Sequence, residues 1–335
     1  MHTGRHYKIK EFLLWTRRYI YYLIAVAAIP TVIFSVFNIK WIALPWVPIA
    51  LIGTAAAFIV GFKNTQTYNR LWEARKIWGA IVNDSRSWGM MVKDFIASEE
   101  NANTNITADH SRLVHRHIAW LTALRHQLRT PKPWENMEAH NAREYKRNYT
   151  VPEWEQSLEE ELKPLLSAEE LKYVLSKKNR ATQLLSLQSR DLKKLRSKNL
   201  VEAYPYVALE SCLKDFFTHQ GKAERIKNFP YPSQFSSVSL FFINIFVFLL
   251  PFGLLAPFSA MGTYGVWFTI PFSVVVGWVF ISLEQVGQHT ANPFEGGAND
   301  IPMAGLSRTI EIDLREMLDE VNIPEPIEAV NQILL

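Results

Sequence analysis

The chain has 335 residues, of which 48% are apolar and only 20% charged, and it carries 20 Phe, 11 Trp and 12 Tyr. Its mean hydropathy of −0.03 averages long apolar blocks with polar ones. Because Cys212 is the only cysteine, a disulfide scaffold and a thiolate metal cage built within one chain are excluded. The composition therefore predicts an integral membrane protein with a large water-facing portion.

Three long runs of the chain contain no charged residue: 19–39, 41–62 and 228–283. At about 1.5 Å of rise per residue, 21 residues reach about 31 Å, which crosses a hydrocarbon core of about 30 Å. The third run is long enough for two spans joined by a turn at Pro257–Gly262. No buried charge pair is expected among the spans. The sequence predicts four transmembrane helices, near 19–38, 42–63, 236–256 and 264–284.

The distribution of Lys and Arg predicts the topology. Residues 1–18 carry five Lys or Arg against one Glu, and residues 63–227 carry 28 against 21 acids, whereas the two loops between paired spans hold Lys40 or no charge. Basic residues flank the cytoplasmic ends of membrane helices, so both termini and the middle block are predicted to be cytoplasmic. Residues 284–335 carry two Arg and ten acids, and we expect this acidic tail to pack on the basic middle block.

The middle block is predicted to be helical. From Tyr68 onward, apolar residues at three- and four-residue steps mark one helix face: Leu71, Ala74, Trp78, Ile81 and Trp88. Further helical patterns cover Arg112–Gln127, Ser167–Lys178 and Ala181–Cys212, and polar residues predict a loop at Ser98–Ala108. The predicted all-α chain has five segments: a cytosolic N-terminal segment (1–18), transmembrane helices 1 and 2 (19–63), a helical cytosolic domain (64–233), transmembrane helices 3 and 4 (234–284) and a cytosolic tail (285–335).

Signals of catalysis or cofactor binding are weak. His110, His115 and His117 cluster, but none stands at the four-residue step that would place two imidazoles on one helix face, so a solvated basic helix is favoured over a metal site. The basic run Arg190–Lys198 fits a solvated helix or an anionic lipid surface better than a nucleic-acid site. No glycine-rich phosphate loop is present. We therefore predict no enzyme, no catalytic residue, no cofactor, no metal and no nucleic-acid partner.

The second span is more informative. Thr54, Phe58 and Phe62 are four residues apart and so project from one helix face. If identical copies surrounded an axis, this face would form a hydroxyl ring and two aromatic rings, a narrow apolar constriction of the kind that gates by dewetting. The alternative, which the pattern alone favours, is that the two Phe pack against neighbouring helices or lipid.

Longer motifs carry a family resemblance. The segment Gly61–Trp78 resembles the bestrophin signature that follows the second membrane helix, with Arg70 and Trp72 in its Arg-aromatic-Trp turn. Asn292, Pro293 and Phe294 resemble the Asn-Pro-Phe element of that family. The tail segments Asn299–Met303 and Arg308–Leu318 resemble its prokaryotic branch, and the match extends over essentially the whole chain.

The resemblance implies a homopentameric ion channel with one central pore and a large cytosolic extension. It implies that Thr54, Phe58 and Phe62 form a hydrophobic neck. Thr54 stands where the family has an aliphatic residue, so the outermost ring of the neck is more easily hydrated. It also implies a second, cytosolic constriction near Val207, and helix N-termini that face permeating anions.

The resemblance also bears on calcium. In the animal branch a run of acids after the Asn-Pro-Phe element helps to hold Ca²⁺, which takes six to eight oxygen ligands. Here the run reads Glu295-Gly-Gly-Ala-Asn-Asp300, so that Gly297 replaces a carboxylate while Asn292 and Asp300 match ligand positions. The sequence therefore predicts no activation by calcium.

The leading hypothesis is a passive anion channel of the inner membrane, with chloride as the permeating ion and with membrane lipids and further copies of itself as partners. A cation (sodium)-selective channel of the same architecture is the first alternative, because Glu210 or Asp215 would favour cations if they faced the axis. A non-conducting membrane scaffold whose cytosolic helices bind a partner is the second.

Overall fold

The computed structural model describes residues 1–97, 106–137 and 146–335, and within these ranges the fold is helical and contains no β-strand. The prediction of an all-α protein is confirmed. In chain order the helices are α1 (Ile9–Ser35), α2 (Trp46–Phe95), α3 (Ile106–Arg129), α4 (Pro152–Glu155), α5 (Leu158–Leu162), α6 (Ala168–Leu175), α7 (Arg180–Ser197), α8 (Ala203–Asn228), α9 (Ser233–Ser259), α10 (Thr269–Thr290) and α11 (Met303–Met317).

The chain folds into two compact units. The membrane unit comprises Gly4–Arg70 and Pro230–Asn292, and the polar unit comprises Met1–Thr3, Leu71–Phe229 and Pro293–Leu335. Among the described residues, four helices are long and apolar enough to cross a membrane: α1, α2, α9 and α10. The four predicted spans are therefore confirmed.

Several span boundaries differ from the prediction, and two of them have a local physical reason. Helix α9 continues through Pro251 and Pro257 to Ser259, so the turn begins later than predicted. Proline is tolerated inside membrane helices because neighbouring groups satisfy the carbonyl that it leaves without a donor. Helix α1 ends at Ser35, and the Lys40 ammonium donates a hydrogen bond of 3.2 Å to the carbonyl oxygen of Phe34. A basic group at this place satisfies one of the last carbonyls of the helix.

The helices of the membrane unit approach each other closely at glycines. A Cβ atom at Gly277 on α10 would lie 2.5 Å from Leu23 on α1, and one at Gly53 on α2 would lie 2.5 Å from Phe246 on α9. Small residues let membrane helices gain van der Waals contact that the apolar lipid cannot supply as a driving force. These contacts enclose an apolar core: Leu23, Ile49, Ala56, Val60, Ile243, Phe246, Val247, Leu250 and Ile281.

Helix α2 is one continuous helix of 50 residues that contributes to both units. The turn that the resemblance implied at Arg70–Trp72 is therefore wrong, because the backbone stays helical there. The predicted face of the second half is confirmed, since Ala74, Trp78 and Ile81 are each fully buried.

Helix α3 forms the centre of the polar unit. Arg116, His117 and Arg129 are at most 2% exposed, so the prediction of a solvated basic helix is wrong. The His117 ring lies 4.5 Å from the ring of Phe216 and 5.1 Å from that of Trp120, measured between centroids. The polar residues of α3 thus belong to the core, where each needs a partner.

Two other predictions of the polar unit are corrected. The pattern Ala181–Cys212 is split into α7 and α8 by residues 198–202, where Asn199 adopts a left-handed φ of 59° that ends the first helix. Of the predicted loop Ser98–Ala108, residues 98–105 lie outside the described ranges, and residues 106–108 belong to α3.

The C-terminal segment contacts the rest of the polar unit through ion pairs and a histidine–carboxylate hydrogen bond. Asp313 on α11 pairs with Arg86 at 2.7 Å, Glu320 with His115 at 2.7 Å, and Asp319 with Lys93 at 3.3 Å. These pairs join acids of the tail to bases of α2 and α3.

Candidate functional site

The three predicted neck residues lie on the exposed face of α2. Phe58 is 77% exposed and Phe62 is 47% exposed, and Thr54 is also exposed. The opposite face, with Ala56 and Val60, is buried in the membrane unit. Successive residues of a helix are about 100° apart, so residues two positions apart, such as Phe58 and Val60, project from nearly opposite sides.

The exposure of Phe58 requires an explanation outside its own protomer. A large aromatic ring on a membrane helix has three possible surroundings: lipid, another protein chain, or the wall of a passage. The Thr54 hydroxyl donates a hydrogen bond of 3.0 Å to the carbonyl oxygen of Ala50, so its donor is used within the helix. The face therefore presents a methyl group, an acceptor oxygen and two aromatic rings.

A buried ion pair lies behind Phe62. The ammonium of Lys63 on α2 donates to Glu284 Oε1 on α10, and both side chains are 2% exposed. The expectation that the spans hold no buried charge pair is therefore wrong. Sequence reasoning missed it because each charge stands at the edge of an uncharged run, Lys63 just after 41–62 and Glu284 just after 228–283. That shared edge position is the signal that could have found the pair.

The predicted cytosolic constriction lies in the polar unit. Val207 on α8 is 64% exposed, and Tyr204 on the preceding turn is 89% exposed. The carboxylate of Glu210 accepts a hydrogen bond of 2.9 Å from the Ser189 hydroxyl, whereas Asp215 is exposed. Val207 is thus available to surroundings beyond its own chain, and Glu210 is partly committed within it.

The family-signature residues have different environments. Arg70 is half-buried and Trp72 is 52% exposed, both within α2. Asn292 is 7% exposed at the end of the membrane unit. In the polar unit Phe294 is 1% exposed, and the carbonyl oxygen of Pro293 accepts a hydrogen bond of 3.1 Å from the Ile301 amide. This burial and this hydrogen bond indicate that Pro293 and Phe294 stabilise the fold of the polar unit.

The segment after Phe294 does not fit a calcium site. The Asp300 carboxylate accepts hydrogen bonds from the amides of Gly296 (2.7 Å) and Gly297 (3.0 Å), and Arg129 Nη1 lies 3.6 Å away. Burial raises the pKa of Asp300 to about 6, although Arg129 and the two amides oppose that rise. Donors thus surround the carboxylate that calcium would need as a ligand. Within residues 1–97, 106–137 and 146–335, no group of three metal-ligating side chains is found.

Comparison of the sequence with known proteins finds a matching family and relatives that share most of the chain. A family model described as bacterial/fungal bestrophin protein matches residues 16–316. The voltage-dependent anion channel-forming protein YneE of Escherichia coli (strain K12) is 27% identical over 280 residues, which cover 84% of this chain and 79% of that one. The voltage-dependent anion channel-forming protein RSc3414 of Ralstonia nicotianae is 27% identical over 282 residues, covering 84% and 80%.

The fold has counterparts among solved structures. A bacterial bestrophin homologue from Klebsiella pneumoniae superposes with a TM-score of 0.74 at 22% identity, covering 90% of this chain and 98% of that one. At this level of identity the similarity establishes a shared fold.

Proposed function

The chain belongs to the bacterial and fungal bestrophin family, and from that membership we propose that it forms a channel for passive anion conduction, with chloride as the main permeating ion. Its relatives in Escherichia coli and Ralstonia nicotianae are named as anion channel-forming proteins rather than enzymes. The residues of the membrane unit carry two acids, Glu11 and Glu284, and an excess of Lys and Arg. This charge balance favours anions near the membrane.

The proposed channel is a homopentamer in the inner membrane with both termini in the cytoplasm. The subunit number follows from the family resemblance, and the orientation follows from the Lys and Arg of residues 1–18 and 63–227. Four spans per protomer, with an exposed face on α2, suit a pore that forms between subunits.

The proposed neck consists of Thr54, Phe58 and Phe62 from each subunit. The observation that carries this proposal is the 77% exposure of Phe58 on a face that also holds the other two residues. Aromatic edges carry partial positive charge, so rings that present their edges tolerate a passing anion better than aliphatic walls do. Val207 on α8 is proposed to narrow the conduit a second time in the polar unit.

The ion selectivity is tested with purified protein in planar bilayers under a KCl gradient. We expect a reversal potential near the chloride equilibrium potential. A value near the potassium equilibrium potential would favour the cation channel, for which the exposed Asp215 is the candidate residue. Absence of any flux from proteoliposomes, together with a monomer in mild detergent, would favour the scaffold.

The neck is tested by Phe58→Ala. Removal of the ring from a constriction widens it, so we expect a larger single-channel conductance. Phe241→Ala is the matched control, because Phe241 on α9 is 61% exposed in the same unit but is not a proposed neck residue. If Phe58→Ala and Phe241→Ala both leave conductance at the wild-type value, Phe58 faces lipid and the neck is wrong.

A further inference from the structure

Glu284 joins three helices of the membrane unit at one carboxylate. Its Oε1 accepts from the Lys63 ammonium on α2 and from Gln288 Nε2 at 3.1 Å, and its Oε2 accepts from the Ser239 hydroxyl on α9 at 2.6 Å. Both members of the ion pair are buried, so neither charge has water as an alternative partner. A buried charge of this kind is costly unless it is paired and hydrogen-bonded, as it is here.

Polar contacts between α2 and α10 continue for one further turn of α2. The side-chain amide of Asn64 donates to the carbonyl oxygen of Leu283 at 3.0 Å, and the Thr290 hydroxyl donates to Thr67 Oγ1 at 2.9 Å. The Asn64 side chain lies so close to Gly287 that a Cβ atom at position 287 would clash with it. We call Lys63, Asn64, Thr67, Ser239 and Glu284 the polar clamp.

The clamp differs in kind from the rest of the α2 interface in this unit. Nearer its N-terminus, α2 packs through the apolar residues Ile49, Ala56 and Val60. Apolar contacts are non-directional and have no fixed donor and acceptor partners. Hydrogen bonds and an ion pair have fixed partners, so the clamp sets the position of α2 along and about its axis.

Lys63 has no substitute for its partner. The residues of the membrane unit include only one other acid, Glu11, whose carboxylate accepts from the Lys8 amide at the start of α1. A shift of α2 away from Glu284 would leave a buried ammonium without a counter-charge.

The clamp is adjacent to the inner ring of the proposed neck. Phe62 precedes Lys63 in the chain, and its ring centroid lies 6.3 Å from that of Phe235, one helical turn before Ser239 on α9. The same turn of α2 therefore carries both the pore-facing ring of Phe62 and, about 100° around the helix, the ammonium of Lys63. Any rotation or shift of that turn moves both.

We propose that Lys63 and Glu284 are a positioning pair that holds Phe62 in the conduit, so that the channel's open probability depends on the pair. The inference rests on the proposed function, because it takes Phe62 as a pore-lining residue. Releasing the pair frees the turn that carries Phe62, and ions then pass the inner ring more often.

The test is single-channel recording from purified protein in planar bilayers. Lys63→Met and Glu284→Gln should each raise the open probability by about tenfold or more, because each leaves the other member of the buried pair without its counter-charge. The swap Lys63→Glu with Glu284→Lys should return it to within about threefold of the wild-type value. Ser239→Ala, a milder change that keeps both charges, should raise it by a smaller factor.

A positioning role and an electrostatic role of the Lys63–Glu284 pair predict different results. If the pair acted through its field, Glu284→Gln would leave a positive charge and Lys63→Met a negative one, and their effects on anion permeability would have opposite signs. Opposite signs, or a swap that behaves like the single variants, would overturn the positioning role. Thr16→Val is the matched control, because it removes the 2.9 Å hydrogen bond from Trp278 Nε1 between α1 and α10 without touching α2, and it should leave the open probability unchanged.

Failure of the inference and failure of the proposed function are distinguishable. A wild-type protein that conducts anions, with Ser239→Ala and both single variants at the wild-type open probability, overturns the positioning pair alone. A wild-type protein without conductance overturns the channel itself. If the single variants do not assemble, Ser239→Ala and the swap decide. A raised open probability of Ser239→Ala, together with a swap that assembles and stays within about threefold of the wild-type value, supports the pair. Wild-type behaviour of Ser239→Ala overturns it.

Discussion

His117 provides a quantitative test of the core of the polar unit. Its ring is fully buried, it shares a 2.8 Å hydrogen bond with the Ser85 hydroxyl through Nε2, and burial lowers its pKa from 6.5 to about 3. In the unfolded chain the same imidazole titrates near its ordinary value. Below pH 6.5 the unfolded state therefore takes up a proton that the folded state refuses, and the free energy of unfolding falls until about pH 3.

The magnitude follows from these two pKa values. Each pH unit within this window costs about 1.4 kcal/mol, so His117 alone should lower the free energy of unfolding by about 3 kcal/mol between pH 7 and pH 4.5. His117→Gln keeps a nitrogen or oxygen near the Nε2 position but does not titrate. The difference between wild type and His117→Gln should therefore change by about 3 kcal/mol across this interval.

The assay is denaturant unfolding of the detergent-solubilised protein at pH 7 and pH 4.5, followed by tryptophan fluorescence. Trp120 and Trp88 lie 5.1 and 6.2 Å from the His117 ring, so their emission reports this region. His126 and the paired carboxylates titrate in both proteins and cancel in the comparison. Equal acid sensitivity of the two proteins would refute a neutral, buried His117.

Two further predictions concern the polar unit. Arg129→Met should destabilise it by about 3–5 kcal/mol, because it leaves buried Asp300 without its guanidinium and Glu153 with that of Arg125 alone. Arg86→Met removes a 46% exposed partner of Asp313 and should cost less than about 1 kcal/mol. Unfolding midpoints at pH 7 decide between the two, and equal losses would contradict this reasoning. Millimolar calcium should change neither the anion flux nor the thermal midpoint, because amide and guanidinium donors surround Asp300; a calcium-dependent rise in flux would show that the carboxylate is available to the ion.

The sequence determined the membrane layout because hydropathy is a local sum. A run of about 20 uncharged residues has few stable fates besides a membrane helix, whatever the rest of the chain does. The buried face of the second half of α2 followed from its period, and Trp78 and Trp88 are buried as that period requires. The prediction that Thr54, Phe58 and Phe62 share one helix face has the same local origin.

Tertiary structure decided which polar residues are buried and with what. Lys63 and Glu284 are 221 positions apart, and each alone reads as the charged edge of an apolar run. His117 reads as solvated on a basic helix, yet α3 is surrounded by other helices and the buried His117 ring bonds the Ser85 hydroxyl. Whether a charge is solvated or paired depends on which distant segment packs against it, and residue spacing along the chain does not contain that information.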